Sequence, residues 1–152
     1  MNKLILILCL LLCGCAIQPK QVENKLTKRE FVEVIKKHTF DLQTSVNFDY
    51  KILTAQICLE TGYGTSRLCR EQNNLLGIKQ PKAEGGKYES FSSYEECLLR
   101  FYQIVAFNGY RDLLQIAYTG DVKKYAAAIQ ASGWATDKMY GKKLIAVYDS
   151  LF

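Results

Sequence analysis

The sequence predicts a mainly α domain of about seven helices and one short β-hairpin. Three observations predict it. Apolar residues recur at helical spacing through most of the chain from Phe31 onward. Capping boxes, in which a hydroxyl and a carboxylate three residues on satisfy each other's backbone donors, open two of these stretches at Thr27–Glu30 and Ser93–Glu96. Gly62, Gly109, Gly120 and Gly133 then divide the apolar periodicity into helix-sized pieces.

The elements follow in order. Lys3 precedes an apolar run from Leu4 to Leu12, with Leu12-Cys13-Gly14-Cys15 directly after it. That run is shorter than the ~20 apolar residues that cross a bilayer as a helix. It has the charged start and small-residue end of an export signal, either cleaved or kept as a short anchor. Ala16 to Leu26 is polar, contains Pro19 and reads as a tether, which leaves 27–152 as the folded domain. Thr27 opens the first helix, with Phe31, Val34 and Ile35 on one face. Asp49 caps a second, carrying Ile52, Leu53, Ala55, Gln56, Ile57, Cys58 and Leu59. It is apolar nearly all round and therefore central, and it stops at Gly62. A third helix runs from about Thr65 to Gln72. Pro81, Gly85 and Gly86 make a turn across which Gly77–Lys79 and Tyr88–Phe91 pair as the hairpin. Ser93 caps the fourth helix, through Leu98, Phe101 and Val105. Tyr110–Ala117, Asp121–Ala131 and Asp137–Leu151 complete the set.

Composition limits the chemistry. His38 is the single histidine and no Cys-x-x-Cys spacing occurs, which argues against a metal site and against serine–histidine or cysteine–histidine nucleophiles. No cofactor is expected. Of six cysteines, Cys58, Cys69 and Cys97 lie beyond the leader, enough for one disulfide and a free thiol or for three buried thiols. Formal net charge is +5, and loss of Lys3 with the leader lowers it by one. The basic residues are scattered, so no nucleic-acid partner is expected. The domain is expected to be a monomer.

Glu60 stands out. It closes a helix whose other positions are almost all apolar, which puts its carboxyl at or near the core. Burial and the negative end of the helix both disfavour a charged carboxylate. A neutral carboxylic acid so placed can protonate the leaving oxygen of a glycosidic bond, or can simply be a buried group tied to backbone donors.

The surrounding residues carry a resemblance. Ala55-Gln56-Ile57-Cys58-Leu59-Glu60-Thr61-Gly62-Tyr63-Gly64-Thr65-Ser66 is similar to the pattern A-Q-x-x-L-E-S/T-G-aromatic-G-x-S. Asn73-Asn74-Leu75-Leu76-Gly77-Ile78-Lys79 is similar to N-N-L-F-G-I/L-K. Tyr88-Glu89-Ser90-Phe91-Ser92-Ser93-Tyr94-Glu95-Glu96-Cys97 is similar to F-x-x-Y-x-S-x-x-E-S. Gly133-Trp134-Ala135-Thr136-Asp137-Lys138-Met139-Tyr140-Gly141-Lys142-Lys143-Leu144 is similar to G-Y-A-T-D-P-x-Y-x-x-K-L. In this order the four blocks resemble the glucosaminidase domains of glycoside hydrolase family 73, and the lipobox-like Leu12–Cys15 resembles that of bacterial lipoproteins.

The first resemblance implies a lysozyme-like fold and an endo-acting N-acetylglucosaminidase that hydrolyses peptidoglycan, with Glu60 as general acid. It implies that Gly62 and Gly64 let a sugar approach the backbone and that Tyr63 packs beside the sugar or fills core. Asn73 and Asn74 cap the third helix or bond backbone around the groove, with Asn74 the substrate-binding candidate of the two, and Tyr140 contacts the substrate or holds Glu60. Phe91 and Ser93 are scaffold. The second resemblance implies cleavage after residue 14 and a lipid anchor at Cys15. Ala16 next to that cysteine implies the periplasmic face of a Gram-negative outer membrane; without lipidation the protein is secreted.

Two departures matter. The Lys79–Tyr88 segment is short where many family members carry a lobe with a second carboxylate, and Glu84 is the acid left in the turn. Without Glu84 as base, another side chain or the substrate's own acetamido group must complete the reaction. Lys138-Met139 replaces a proline-containing pair. The alternatives are a lytic transglycosylase of the same fold class and a peptidoglycan-binding lipoprotein without turnover.

Overall fold

The fold is that of a computed structural model, which describes residues 26–107 and 110–152. The expected leader, the expected lipidation position Cys15 and nearly all of the expected tether lie outside them. Among the described residues there are seven α-helices: α1 (Lys28–Gln43), α2 (Tyr50–Thr61), α3 (Arg67–Gln72), α4 (Tyr94–Phe107), α5 (Arg111–Tyr118), α6 (Val122–Ala131) and α7 (Tyr140–Leu151). α2 packs between α1 and α7, α6 lies on α7, and α5 and α4 close the bundle toward α1. Ile52, Leu53, Ala55, Ile57 and Cys58 of α2 are essentially without exposed surface, as the all-round apolar pattern requires.

The helix starts show where local chemistry decides. The Thr27 capping box is complete, with Glu30 accepting in return from the Thr27 backbone. Asp49 accepts from the N–H groups of Lys51 and Ile52. Ser66, one residue beyond the expected start, caps α3. The expected second capping box is altered: Ser93 accepts from the Glu96 N–H, but the Glu96 carboxylate reaches back to Ser92 instead. α7 begins at Tyr140, not Asp137, because the Asp137 carboxylate binds the Met139 N–H and holds a turn ahead of the helix.

The hairpin is smaller than its sequence suggests. Lys79 and Tyr88 form a single antiparallel bridge, next to a 3-10 turn at Lys82–Glu84. Asn74 limits it by donating to the carbonyls of both Ile78 and Glu89, so one side chain does the work of further ladder bonds. Phe91, a buried aromatic as expected, sends its N–H to Gln72 instead of across the hairpin. Cys58, Cys69 and Cys97 are all free and buried, so the disulfide option does not apply to them.

Candidate active site

α2 delivers Glu60 in its last turn, where Gly62 adopts a left-handed conformation (φ +55°) and ends the helix. Glu60 is half-buried, at the wall of a cleft of about 700 Å³ rather than in the core. The cleft is lined by Ser66, Leu68, Asn74, Leu76–Lys79 and Tyr88 from the first part of the chain and by Ile104, Tyr110, Gly133–Asp137 and Tyr140 from the second.

Two side chains from the α6–α7 region hold the carboxyl group. The Tyr140 hydroxyl donates to Glu60 Oε1 at 2.6 Å, and Trp134 Nε1 donates to the same oxygen at 3.2 Å. Among the described residues, Oε2 accepts from none, so the second oxygen is the one left to the cleft. Trp134 is itself braced edge-on by Phe101 (5.6 Å between centroids) and Tyr110 (6.1 Å). Tyr140 is buried, and burial first, then the charge of Glu60, pushes its pKa well up. It therefore stays a protonated donor at any physiological pH.

The other sequence-predicted residues fall in different places. Asn74 touches the cleft, but both its amide hydrogens go to the Ile78 and Glu89 carbonyls, and its oxygen accepts from Leu76 and Ile78. With its hydrogen-bonding capacity used on backbone, it shapes the cleft wall. Tyr63 does not line this cleft. Its own positive φ (+57°) follows that of Gly62 and turns its ring to a separate depression with Val32, where the Lys28 ammonium lies 5.5 Å from the ring centroid. Gly62 is exposed and outside the cleft lining. Gly64 serves packing: a Cβ there would come within 2.5 Å of the Phe31 ring. Glu84 sits exposed on the 3-10 turn, again outside the lining residues.

Asp137 does line the cleft, and sequence reasoning gave it no role. Its two oxygens are committed to Lys143 (2.6 Å) and the Met139 N–H (2.8 Å), and the Lys143 bond first of all lowers its pKa. Trp134 is the larger omission. It is the only tryptophan in the chain and falls within the fourth sequence block, a signal that could have marked it. Among the described residues no cluster of His, Cys, Asp or Glu is placed to hold a metal ion.

Comparison with known proteins agrees with this arrangement. Residues 36–151 match the family described as mannosyl-glycoprotein endo-beta-N-acetylglucosaminidase. The chain is 26% identical over 154 residues to the exo-glucosaminidase LytG of Bacillus subtilis, covering 86% of this chain and 54% of that protein. It is 30% identical over 126 residues to the peptidoglycan hydrolase FlgJ of Pseudomonas aeruginosa, covering 65% of this chain and 30% of that protein. The chain thus spans about half or less of the length of these curated relatives. The crystal structure of a peptidoglycan hydrolase from Sphingomonas sp. A1 superposes with a TM-score of 0.66 at 25% identity, over 82% of this chain and 90% of that one. The lysozyme-like α fold implied by the sequence is the fold observed. The chain belongs to the mannosyl-glycoprotein endo-beta-N-acetylglucosaminidase family.

Proposed function

We propose that this protein is a peptidoglycan hydrolase that cleaves β-glycosidic bonds after N-acetylglucosamine, with Glu60 as general acid. The observation that carries the reading is the double hold on Glu60 Oε1 by Tyr140 and Trp134, at the wall of an open cleft. Two donors on one oxygen disfavour a proton there, so in the neutral carboxyl the proton resides on Oε2, toward the cleft. Once the proton has passed to the leaving oxygen, the same two donors stabilise the carboxylate that remains.

The displacement of the leaving oxygen, as Glu60 protonates it, is assigned to the substrate's acetamido group. Among the described residues the cleft-lining carboxylates are Glu60 and Asp137, and Asp137 is already bonded at both oxygens. Glu84, the sequence candidate, is outside the lining. An acetamido oxygen that attacks the anomeric carbon needs no second protein carboxylate, and water then opens the resulting ring. Attack within the strand is proposed from the family's endo description, although the Bacillus relative is named an exo-enzyme. An export leader with lipidation at Cys15 is proposed from the lipobox, with action in the cell envelope as the consequence.

The test is digestion of purified peptidoglycan with mass spectrometry of the products. Reducing N-acetylglucosamine ends on oligosaccharides longer than a disaccharide are expected, and Glu60→Gln lowers the rate by about a thousandfold. Glu84→Ala stays within about twofold of wild type, as for an exposed side chain away from the chemistry. Anhydromuramic ends would instead identify a transglycosylase. Survival of activity in Glu60→Gln would remove the acid from its role, and wall pelleting without turnover would favour a binding protein.

A further inference from the structure

The short hairpin sets a cation on the cleft wall. Lys79 and Tyr88 face each other in the antiparallel bridge. The bonds flanking them run from the Glu89 N–H to the Ile78 carbonyl (2.9 Å) and from the Gln80 N–H to the Lys87 carbonyl (2.8 Å). The two residues are therefore a non-hydrogen-bonded pair, the kind in which facing side chains come closest. They meet accordingly: Lys79 Nζ stands 4.8 Å from the centroid of the Tyr88 ring, and both residues line the cleft. The ring lies along the hairpin base, where a Cβ on Gly77 would come 4.0 Å from it. Glu89, the next residue, points to the other face of the strand, and Arg100 binds its two oxygens there through Nε and a terminal nitrogen, each at 3.1 Å. The acid beside Tyr88 is thus withheld from Lys79. Among the described residues Lys79 makes no ion pair, whereas Lys36, Lys37, Lys124 and Lys143 each hold a carboxylate.

Among the described residues the charged side chains that line the cleft are Glu60, Asp137 and Lys79. Lys143 already matches Asp137 at 2.6 Å, and Tyr140 and Trp134 hold Glu60. Lys79 is left as a positive charge without a counterpart, in a cleft open to a ligand. We propose that Lys79 binds a carboxylate on the lactyl arm of a muramic unit, so that the cleft prefers strands bearing such carboxylates to uncharged N-acetylhexosamine chains. The proposal rests on peptidoglycan being the substrate. The sugar rings of that polymer carry no charge. Its carboxylates lie on the 3-O-lactyl arm: the lactyl group itself where the arm is free, or the stem peptide where the arm is amidated. Both offer the same chemistry to an ammonium. A lysine suits a flexible arm, because it presents a point charge with three donors and requires no fixed geometry. The Tyr88 ring face holds that charge at the wall and reduces the freedom lost on binding. The contact is made to the arm and not to the bond being broken, so it is equally strong before and during cleavage and acts on KM.

The test uses soluble, uncrosslinked peptidoglycan strands in three forms. The first bears its stem peptides. The second is the same material with its carboxylates converted to methylamides by carbodiimide and excess methylamine. The third is stripped of peptide, so that each muramic unit keeps its lactyl carboxylate. Full-length wild type, Lys79→Met and Lys79→Arg are compared on each. On peptide-bearing strands Lys79→Met should raise KM about 3- to 5-fold with kcat within about twofold, the size expected of a partly exposed ion pair. Lys79→Arg keeps the charge and should stay near wild type. Methylamide conversion should raise the wild-type KM by a similar factor and leave that of Lys79→Met unchanged, a coupling that a merely structural lysine does not produce. Dependence on Lys79 that persists on stripped strands assigns the contact to the lactyl carboxylate; dependence confined to peptide-bearing strands assigns it to the stem peptide. A wild-type KM indifferent to methylamide conversion, or an equal loss in Lys79→Met on charged and converted strands, would overturn the proposal. If the apolar tip of Lys79→Met disturbs folding, Lys79→Gln, equally uncharged, takes its place. Glu60→Gln, assayed alongside, separates the two levels: turnover by that variant removes the acid, whereas its inactivity with Lys79→Met indistinguishable from wild type removes only the carboxylate contact.

Discussion

Replacing Tyr140 with phenylalanine removes one oxygen and tests how the acid is held. The ring is buried and stays packed, so the change is confined to the 2.6 Å bond to Glu60 Oε1. A hydrogen bond to a charged group contributes about 1.5–3 kcal/mol, and each ~1.4 kcal/mol of barrier is tenfold in rate. Glu60 is only half-buried, and water in the cleft can replace part of what is lost. The Trp134 bond to the same oxygen also remains. Both place the effect at the lower end, a fall in kcat of about 10- to 30-fold. KM should hardly move, because the lost bond ends on the enzyme's own carboxyl and not on the sugar. Reducing-end release from peptidoglycan over a range of substrate concentrations measures both quantities. A rise in KM at constant kcat would refute the reasoning and make Tyr140 a substrate contact; no change in either would leave the bond without a catalytic role.

Further outcomes follow from the rest of the structure. Burial pushes the Cys58 thiol up to about 12 and Cys97 to about 11, and raises Cys69 as well. A chain beginning at Ala16 should therefore give no rapid reaction with a thiol reagent near neutral pH and three equivalents once denatured; prompt labelling of the folded chain would contradict the packing of α2, α3 and α4. Carboxylates at the helix starts are held below their usual range: Glu30 first by the Thr27 hydroxyl, Glu96 by Ser92, Asp121 by the Lys124 N–H and Asp137 by Lys143. A depressed folded-state pKa stabilises the fold above the unfolded pKa and loses that contribution as pH falls through the folded value. Melting temperature should thus be flat from pH 7 to about 5 and fall below about pH 4, where these groups take up protons. A decline that begins above pH 6 would point to other groups.

What was legible in the sequence follows the range of the forces involved. Thr27 with Glu30, Asp49 with the two N–H groups after it, and Gly62 at the end of α2 act within a few residues, so their sequence signals and their structures agree. The Asp137 turn is equally local but was hidden, because an aspartate before a helical pattern reads as its first residue until its carboxylate is seen binding Met139. Glu60 was legible as a lone acid on an apolar helix. Its partners were not legible from periodicity, since Trp134 and Tyr140 lie 74 and 80 residues away and meet it only when α7 packs on α2. Tyr63 is the converse case. The family resemblance implied a place beside the sugar or in the core, but two successive left-handed residues turn it toward Lys28.

Because Tyr140 and Trp134 come from the α6–α7 region, catalysis should depend on how closely these two helices approach. Gly141 sets that approach: a Cβ there would stand 2.9 Å from the Ala126 carbonyl oxygen, and its own N–H donates to Gln130 Oε1. A backbone oxygen cannot rotate aside like a side chain, so Gly141→Ala must shift α7 by a few tenths of an ångström or distort α6. Overpacking of this kind costs about 1–3 kcal/mol of stability. Gly64→Ala has a comparable clash, with Phe31, and an unfavourable φ of +78°, but its contact runs to α1 and away from Tyr140. The two variants can be brought to similar melting temperatures by choice of conditions and their kcat values compared for folded protein. Gly141→Ala should lose about 10-fold or more, since displacements of about 1 Å at a reacting group cost up to 100-fold. Gly64→Ala should lose little beyond its unfolded fraction. Equal losses in both would mean that general loosening limits the rate, whereas loss in Gly141→Ala alone would mean that the spacing of α6 and α7 keeps the Tyr140 hydroxyl within bonding distance of Glu60.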